Sequence, residues 1–319
     1  MLRKVNEQMN RNQILDSTAL KRNFCKMNSI PIQIFGNPYF EERLASLDII
    51  YDCLVLFDEY CSDLEQFNNE NEYLEKVDSI VAAVRADIKS KSGYNRFVND
   101  AGFIDRKIKY PISELYSISN GGKTFISIDM RSANYNALCR YDNMIFDQST
   151  DWKDYLSKFT GIGHLLDSKY LRQVILSECA PTRQRTCMYC LMERLLDHLV
   201  ARIPQMKVFS LKEDEILIEI GGFTLKELIE AMETASDDMM DICKMEIFDL
   251  QNIPGNYGWI KAYQNREIYD IEFKGVDSTL LPQIIKHFYD LPITEYDLAF
   301  YHNGQIARYL SPIDNPWNN

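Results

Sequence analysis

No stretch of this 319-residue chain approaches the about 18 consecutive apolar residues that a membrane-spanning helix requires, so no membrane partner is expected. The opening MLRKVNEQMNRNQ lacks the apolar run of a secretory signal, which argues against export. Framework spacing is missing from the eight cysteines, as suits an intracellular, reducing compartment, cytoplasm or nucleus. Positive charge is scarce: 35 Lys and Arg against 47 Asp and Glu leave a net charge of −12. That argues against a protein coated in nucleic acid and confines any phosphate contact to local basic segments. Internal repeats and low-complexity tracts are absent. Gly121-Gly122-Lys123 lacks the spacing and the Ser/Thr of a phosphate loop. His164, His287 and His302 are isolated and sit in no serine or cysteine nucleophile signature.

What remains is a chain 46% hydrophobic and 26% charged, the composition of a soluble globular protein with a sizeable core. Its length allows one large domain or two to three smaller ones. The first two dozen residues, with Arg3, Lys4, Arg11, Lys21, Arg22 and Lys26, read as a loosely helical or mobile arm. Apolar residues then recur at helical spacing over 39–67 and 72–90, with an Asn-rich turn between, which predicts an antiparallel helical hairpin. Lys89 to Lys109 interleaves Lys89, Lys91, Arg96, Arg106, Lys107 and Lys109 with Tyr94 and Phe97. It reads equally as a phosphate-and-base contact or as a helix end with solvated lysines.

Thr124–Asp129 is a strand ending on an acid where the chain turns into a helix, Met130 to Arg140. Lys169 to Cys190 is the second cationic stretch, broken by Pro181 into two helices, the latter running to about Arg202. Val208–Ile220 alternates on both sides of Glu213-Asp214-Glu215, the pattern of a hairpin with an acidic bend. Thr224-Leu225-Lys226-Glu227 is a capping box opening a helix to about Lys244. Strands near 245–250, 257–263 and 268–274, a helix over 278–290 and a strand-like 295–310 complete the chain. Cys187-x-x-Cys190, with Cys179 and His198, offers four zinc-type ligands. Lying inside one helix without a second CxxC, it reads as a buried helical face.

If the strands ending at Asp129 and beginning near Asp214 are neighbours, their carboxylates share one site. Two hard oxygen donors in a partly open arrangement suit Mg²⁺ (or Mn²⁺) together with substrate phosphates. Lys169, Arg172, Arg183 and Arg185 lie between the two acids in sequence and are the candidates to hold a triphosphate.

Acid strand, cationic helices, acid hairpin: this order resembles the palm of template-dependent nucleic acid polymerases over about residues 123–250. FISIDMRSANYNAL resembles their first palm motif, and KEDEILIEI resembles the second catalytic motif in its A-family form. The proline-broken basic stretch before the hairpin is closer to reverse transcriptases. The resemblance implies that Asp129 and Asp214 bind metal, with Glu213 or Glu215 assisting. It also places Asn134 or Tyr135 near the sugar 2′-hydroxyl. The lysine-to-tyrosine spacing of A-family fingers and the glycine loop of reverse transcriptases are missing, Ala180-Pro181-Thr182-Arg183 standing in the latter's place.

The expected architecture is α+β. Residues 1–105 form a helical part, 106–250 a palm-like antiparallel sheet with packed helices, and 251–319 a small α/β part. The expected activity is a Mg²⁺-dependent, polymerase-like nucleotidyltransferase acting on nucleoside triphosphates and nucleic acid. The alternatives are a template-independent nucleotide cyclase and a non-catalytic nucleic-acid- or protein-binding module on a degenerate palm.

Overall fold

The computed structural model describes residues 9–103, 107–235, 239–264 and 270–318; Arg3, Lys4 and Arg106, counted above among the basic residues, lie outside the described residues. Six helices open the described chain: α1 (Arg11–Asp16), α2 (Thr18–Met27), α3 (Tyr39–Tyr51), α4 (Cys53–Leu64), α5 (Glu70–Ser90) and α6 (Ser92–Asn99). From Met9 on, the expected arm is helical and packed into the core. Ile14, Leu15, Leu20 and Phe24 recur at helical spacing and are buried, Phe24 against Phe57 and Tyr60. Lys21, expected among the exposed cations, is 2% exposed and donates to the Leu15 carbonyl at 2.5 Å. The helix expected over 39–67 is two, because Asp52 takes a left-handed conformation (φ 49°) and separates α3 from α4.

The basic stretch 89–109 resolves toward the helix-end alternative. Lys91 pairs with Asp87 and Asp147, Arg96 with Asp142, and Lys109 with Asp197, while Tyr94 and Phe97 are buried.

A strand follows, β1 (Thr124–Met130), then α7 (Ala133–Tyr141), α8 (Trp152–Ser157), α9 (Gly163–Asp167), α10 (Lys169–Leu176) and α11 (Pro181–Arg202). The hairpin β2 (Lys207–Lys212) and β3 (Glu215–Glu219) leads to α12 (Leu225–Glu233), α13 (Met239–Ile242) and β4 (Cys243–Ile253). The expected capping box forms at Thr224 and Glu227. β5 (Gly258–Tyr263) and β6 (Ile271–Lys274) extend the sheet. The chain ends with α14 (Leu281–Phe288) and a two-stranded sheet, β7 (Ala299–His302) and β8 (Gln305–Arg308).

The large sheet is antiparallel throughout, in the order β2-β3-β1-β4-β5-β6. β1 and β2 run the same way with β3 between them, so β1–helices–β2–β3–helices–β4 is a split βαβ arrangement. One face carries Ile126, Ile128, Met130, Ile216, Ile218 and Ile247 into the core shared with the helices. The other face buries Phe125, Leu217, Phe248, Leu250, Trp259 and Tyr263 under Leu115 and Phe209. Beyond that apolar half, the second face turns charged. The fold is thus α+β, as expected: helices packed on an antiparallel sheet, with a small C-terminal sheet.

The C-terminal sheet is tied back to α3. Buried Arg43 donates to the carbonyls of Ala299 and Asp297, and Ser46 donates to the Asp297 carboxylate at 2.9 Å. Among the described residues, no helix is long and apolar enough to cross a membrane.

Candidate active site

The strand-end acids meet. In the register of β1 with β3, Asp129 lies directly opposite Glu215, and the Met130 N–H donates to the Asp214 carbonyl at 2.9 Å. Directly opposed residues bring their Cβ atoms to about 5 Å. The hairpin that carries the trio is tight: Lys212 pairs with Glu215, leaving only Glu213 and Asp214 in the turn, with Glu213 at φ 31°.

Side-chain direction follows from the pleat. Ser127 and Asp129 point to the charged half of the second face, and the Ser127 hydroxyl donates to Glu215 Oε1 at 2.7 Å. On the other flank, β4 sets Lys244 opposite Asp129, with Nζ 3.9 Å from Asp129 Oδ2 and 3.0 Å from Glu246 Oε2. Across β2, β3, β1 and β4 the row therefore reads Lys212, Glu215, Asp129, Lys244.

The acids feel one another. Burial, then the charge of Asp214, pushes the Asp129 carboxyl up to about 6, with Lys244 and Lys169 pulling against the rise. Burial, then Glu213 and Glu215, raises Asp214 as well, opposed by its own backbone N–H and by Lys169. Like charges held close in a half-buried recess destabilise the ionised form, and that is the physical content of both shifts.

No protein-family model, no curated protein sequence and no solved structure matches this chain. The site is therefore read from its own geometry.

The expected phosphate ligands divide into two pairs. Lys169 is the exposed first residue of α10, and its charge acts on both Asp129 and Asp214. Arg172 follows one turn later on α10; burial alone lowers its pKa, with no acid among the described residues pulling against it. Arg185 is exposed on α11. Arg183, by contrast, donates to the Phe97 and Asp100 carbonyls and ties α11 to the end of α6, a structural duty.

The two candidates for the sugar site are also unequal. Tyr135 is 2% exposed, packs on Phe146 and Trp152, and donates its hydroxyl to the Ser149 carbonyl at 2.7 Å. It is a core residue. Asn134 is half-buried and donates to Gln184 Oε1 at 2.9 Å, linking α7 to α11.

Two lysines of this face were missed in the sequence. Lys244 and Lys261 fall on the same pleat parity as the acids once β4 and β5 are in register. Lys261 is 8% exposed, with its ammonium 4.4 Å from the centre of the Phe248 ring, and burial lowers its pKa against the pull of Glu215. Period-2 alternation carried through 243–263 was the signal that would have found both.

Elsewhere the cysteines behave as core. Cys187 contacts the Ala137 carbonyl at 3.5 Å, Cys179 the Ile175 carbonyl at 3.7 Å, and His198 the Ala231 carbonyl at 3.0 Å. His164 is not isolated. It bridges Asp63 (2.8 Å) and the Tyr73 hydroxyl (2.9 Å) in the helical core. Among the described residues, no three His, Cys, Asp or Glu side chains are grouped to hold a metal ion.

Proposed function

We propose that this chain is a nucleotidyltransferase of polymerase-like type, acting on nucleoside triphosphates with Mg²⁺ or Mn²⁺. One observation carries the reading: Asp129, at the end of β1, and Asp214, in the β2–β3 turn 85 positions later in sequence, are brought side by side by the pairing of β1 with β3, and the charge of Asp214 adds to the rise in the Asp129 pKa. A site that keeps two carboxylates in mutual repulsion is one that a cation would relieve.

The donor set fits a hard divalent ion held by two carboxylates and shared with substrate phosphates, rather than one caged by protein alone. Asp129 and Asp214 would hold it. When bound, such an ion supplies Lewis-acid stabilisation of the transferring phosphoryl group. The chain's own residues supply the rest. Lys169, whose charge acts on both acids, binds and orients the phosphates together with Arg172 one turn further along α10, and their preset charge faces the developing negative charge. Glu215 is held by Ser127 and fixes the rim of the site rather than binding substrate directly. Glu213, in the turn, is the remaining acid within reach of the phosphates.

A second reading, a phosphate- or nucleic-acid-binding module without turnover, draws on Lys244, which already sits 3.9 Å from Asp129 as an internal counter-ion. The test is extension of a primed template with Mg²⁺ or Mn²⁺ and mixed nucleoside triphosphates. Template-dependent extension lost in both Asp129→Asn and Asp214→Asn supports the polymerase-like reading. A small nucleotide product formed without template moves the assignment to a cyclase. Binding without turnover in the folded wild type leaves the module.

A further inference from the structure

Helices α2, α5 and α10 line a groove of about 640 Å³, within the range of small-molecule sites. Its floor is aliphatic: Leu74, Val77 and Val81 from α5, Leu171 and Val174 from α10. Along α5 it runs from Leu74 to Arg85, roughly 16 Å at the helical rise.

Its rim is cationic in an acidic protein. Arg22 and Lys26 stand one turn apart on α2, and Arg85 faces them from α5. Asp78 is the single acid among the described lining residues. Arg85 is fixed by donating to the Val174 carbonyl at 2.6 Å, and Arg22 rests over the Phe35 ring at 5.3 Å. Among the described residues, neither pairs with a carboxylate. Asn23 is also set: its Oδ1 accepts from Tyr60 and Tyr73, which leaves its amide N–H groups as donors at the groove.

We propose that this groove binds an aliphatic phosphomonoester, with the chain on the α5–α10 floor and the phosphate among Arg22, Lys26 and Arg85. Three cations against one carboxylate leave two positive charges unbalanced, which matches a phosphate monoester of nearly two negative charges better than a carboxylate of one. The aliphatic floor, with Tyr170 the only aromatic among the described lining residues, offers a chain more than it offers a stacked base. The inference stands apart from the nucleotidyl-transfer reading, since it uses none of the residues at the acids.

Calorimetry with dodecyl phosphate, dodecanoate and dodecyltrimethylammonium, each below its micelle concentration, tests it. Dodecyl phosphate is expected to bind once per chain, about tenfold tighter than dodecanoate, and the ammonium amphiphile not at all. Val81→Trp, which fills the floor, and the double reversal Arg22→Glu/Lys26→Glu are each expected to weaken dodecyl phosphate by at least about tenfold. Arg22 and Lys26 are exposed, so the reversal remains decisive if Val81→Trp fails to fold. Equal binding of the ammonium amphiphile, tighter binding of dodecanoate, displacement by a single-stranded oligonucleotide, or unchanged affinity in the double reversal would each overturn the proposal.

Discussion

Replacing Asp129 by Asn should make the protein more stable at neutral pH while removing the proposed activity. The reason is the environment of the carboxylate. Burial and the neighbouring charge of Asp214 raise its pKa from 3.8 to about 6, so the ionised side chain is less favourable in the folded chain than in the unfolded one. Such a rise corresponds to ~3 kcal/mol. With 33% of the side chain exposed, solvent screening leaves about 1–2 kcal/mol. The sign follows from which state holds the proton. Below pH 3.8 both states are protonated and Asp129 costs nothing. Between 3.8 and about 6 the unfolded chain ionises first and wild-type stability declines, and above about 6 the full cost is present. Asparagine carries no such cost. Urea denaturation in metal-free buffer should therefore show the variant ahead of wild type by about 1–2 kcal/mol at pH 7.5 and level with it near pH 3.5. Adding Mg²⁺ should narrow the gap by stabilising wild type alone. A variant less stable than wild type at pH 7.5, or a gap that ignores pH, would refute the picture of two carboxylates in repulsion.

Other perturbations separate the site from its scaffold. Lys244→Met removes a charge that pulls Asp129 down, so the pH at which Asp129 titrates should move above about 6, as read by carbon NMR of its carboxyl. His164→Phe should cost about 2–4 kcal/mol, because half-buried Asp63 and buried Tyr73 each lose a hydrogen-bond partner, and denaturation checks it. Burial, outweighing Asp63, keeps the His164 pKa below 6.5. Wild-type stability is therefore full above pH 6.5 and falls below it, as the unfolded chain takes the proton first, and this slope should vanish in the variant. Asp297→Ala removes a fully buried carboxylate and leaves the mostly buried Lys286 side chain without its partner, and should cost about 3–5 kcal/mol, with faster proteolysis at the β7–β8 hairpin as the local readout.

Much of the fold is legible wherever period and punctuation agree. The alternation of 124–129, the proline at the start of α11, the two-residue bend at Glu213-Asp214 and the capping box at Thr224 each place an element correctly, because each is a local rule. Tertiary burial decides the rest. The amino-terminal segment reads as polar by count, yet Ile14, Leu15, Leu20 and Phe24 form one stripe that only the facing α4 makes visible. Lys21, Arg183 and Tyr135 look like surface or ligand groups by type. Their partners, the carbonyls of Leu15, Asp100 and Ser149, are set by packing that no local spacing encodes. The pairing of Asp129 with the hairpin is conditional in the sequence on two strands being neighbours, and sheet order alone meets that condition. Lys244 escapes notice for the same reason: it becomes part of the site only through the register of β4 on β1.

The most direct test of the central claim is Mn²⁺ binding followed by electron paramagnetic resonance, with and without a nucleoside triphosphate. If Asp129 and Asp214 jointly hold the ion, wild type binds Mn²⁺ more tightly in the presence of the triphosphate, and Asp129→Asn and Asp214→Asn each lose at least about tenfold. Equal Mn²⁺ affinity in wild type and both variants would contradict it.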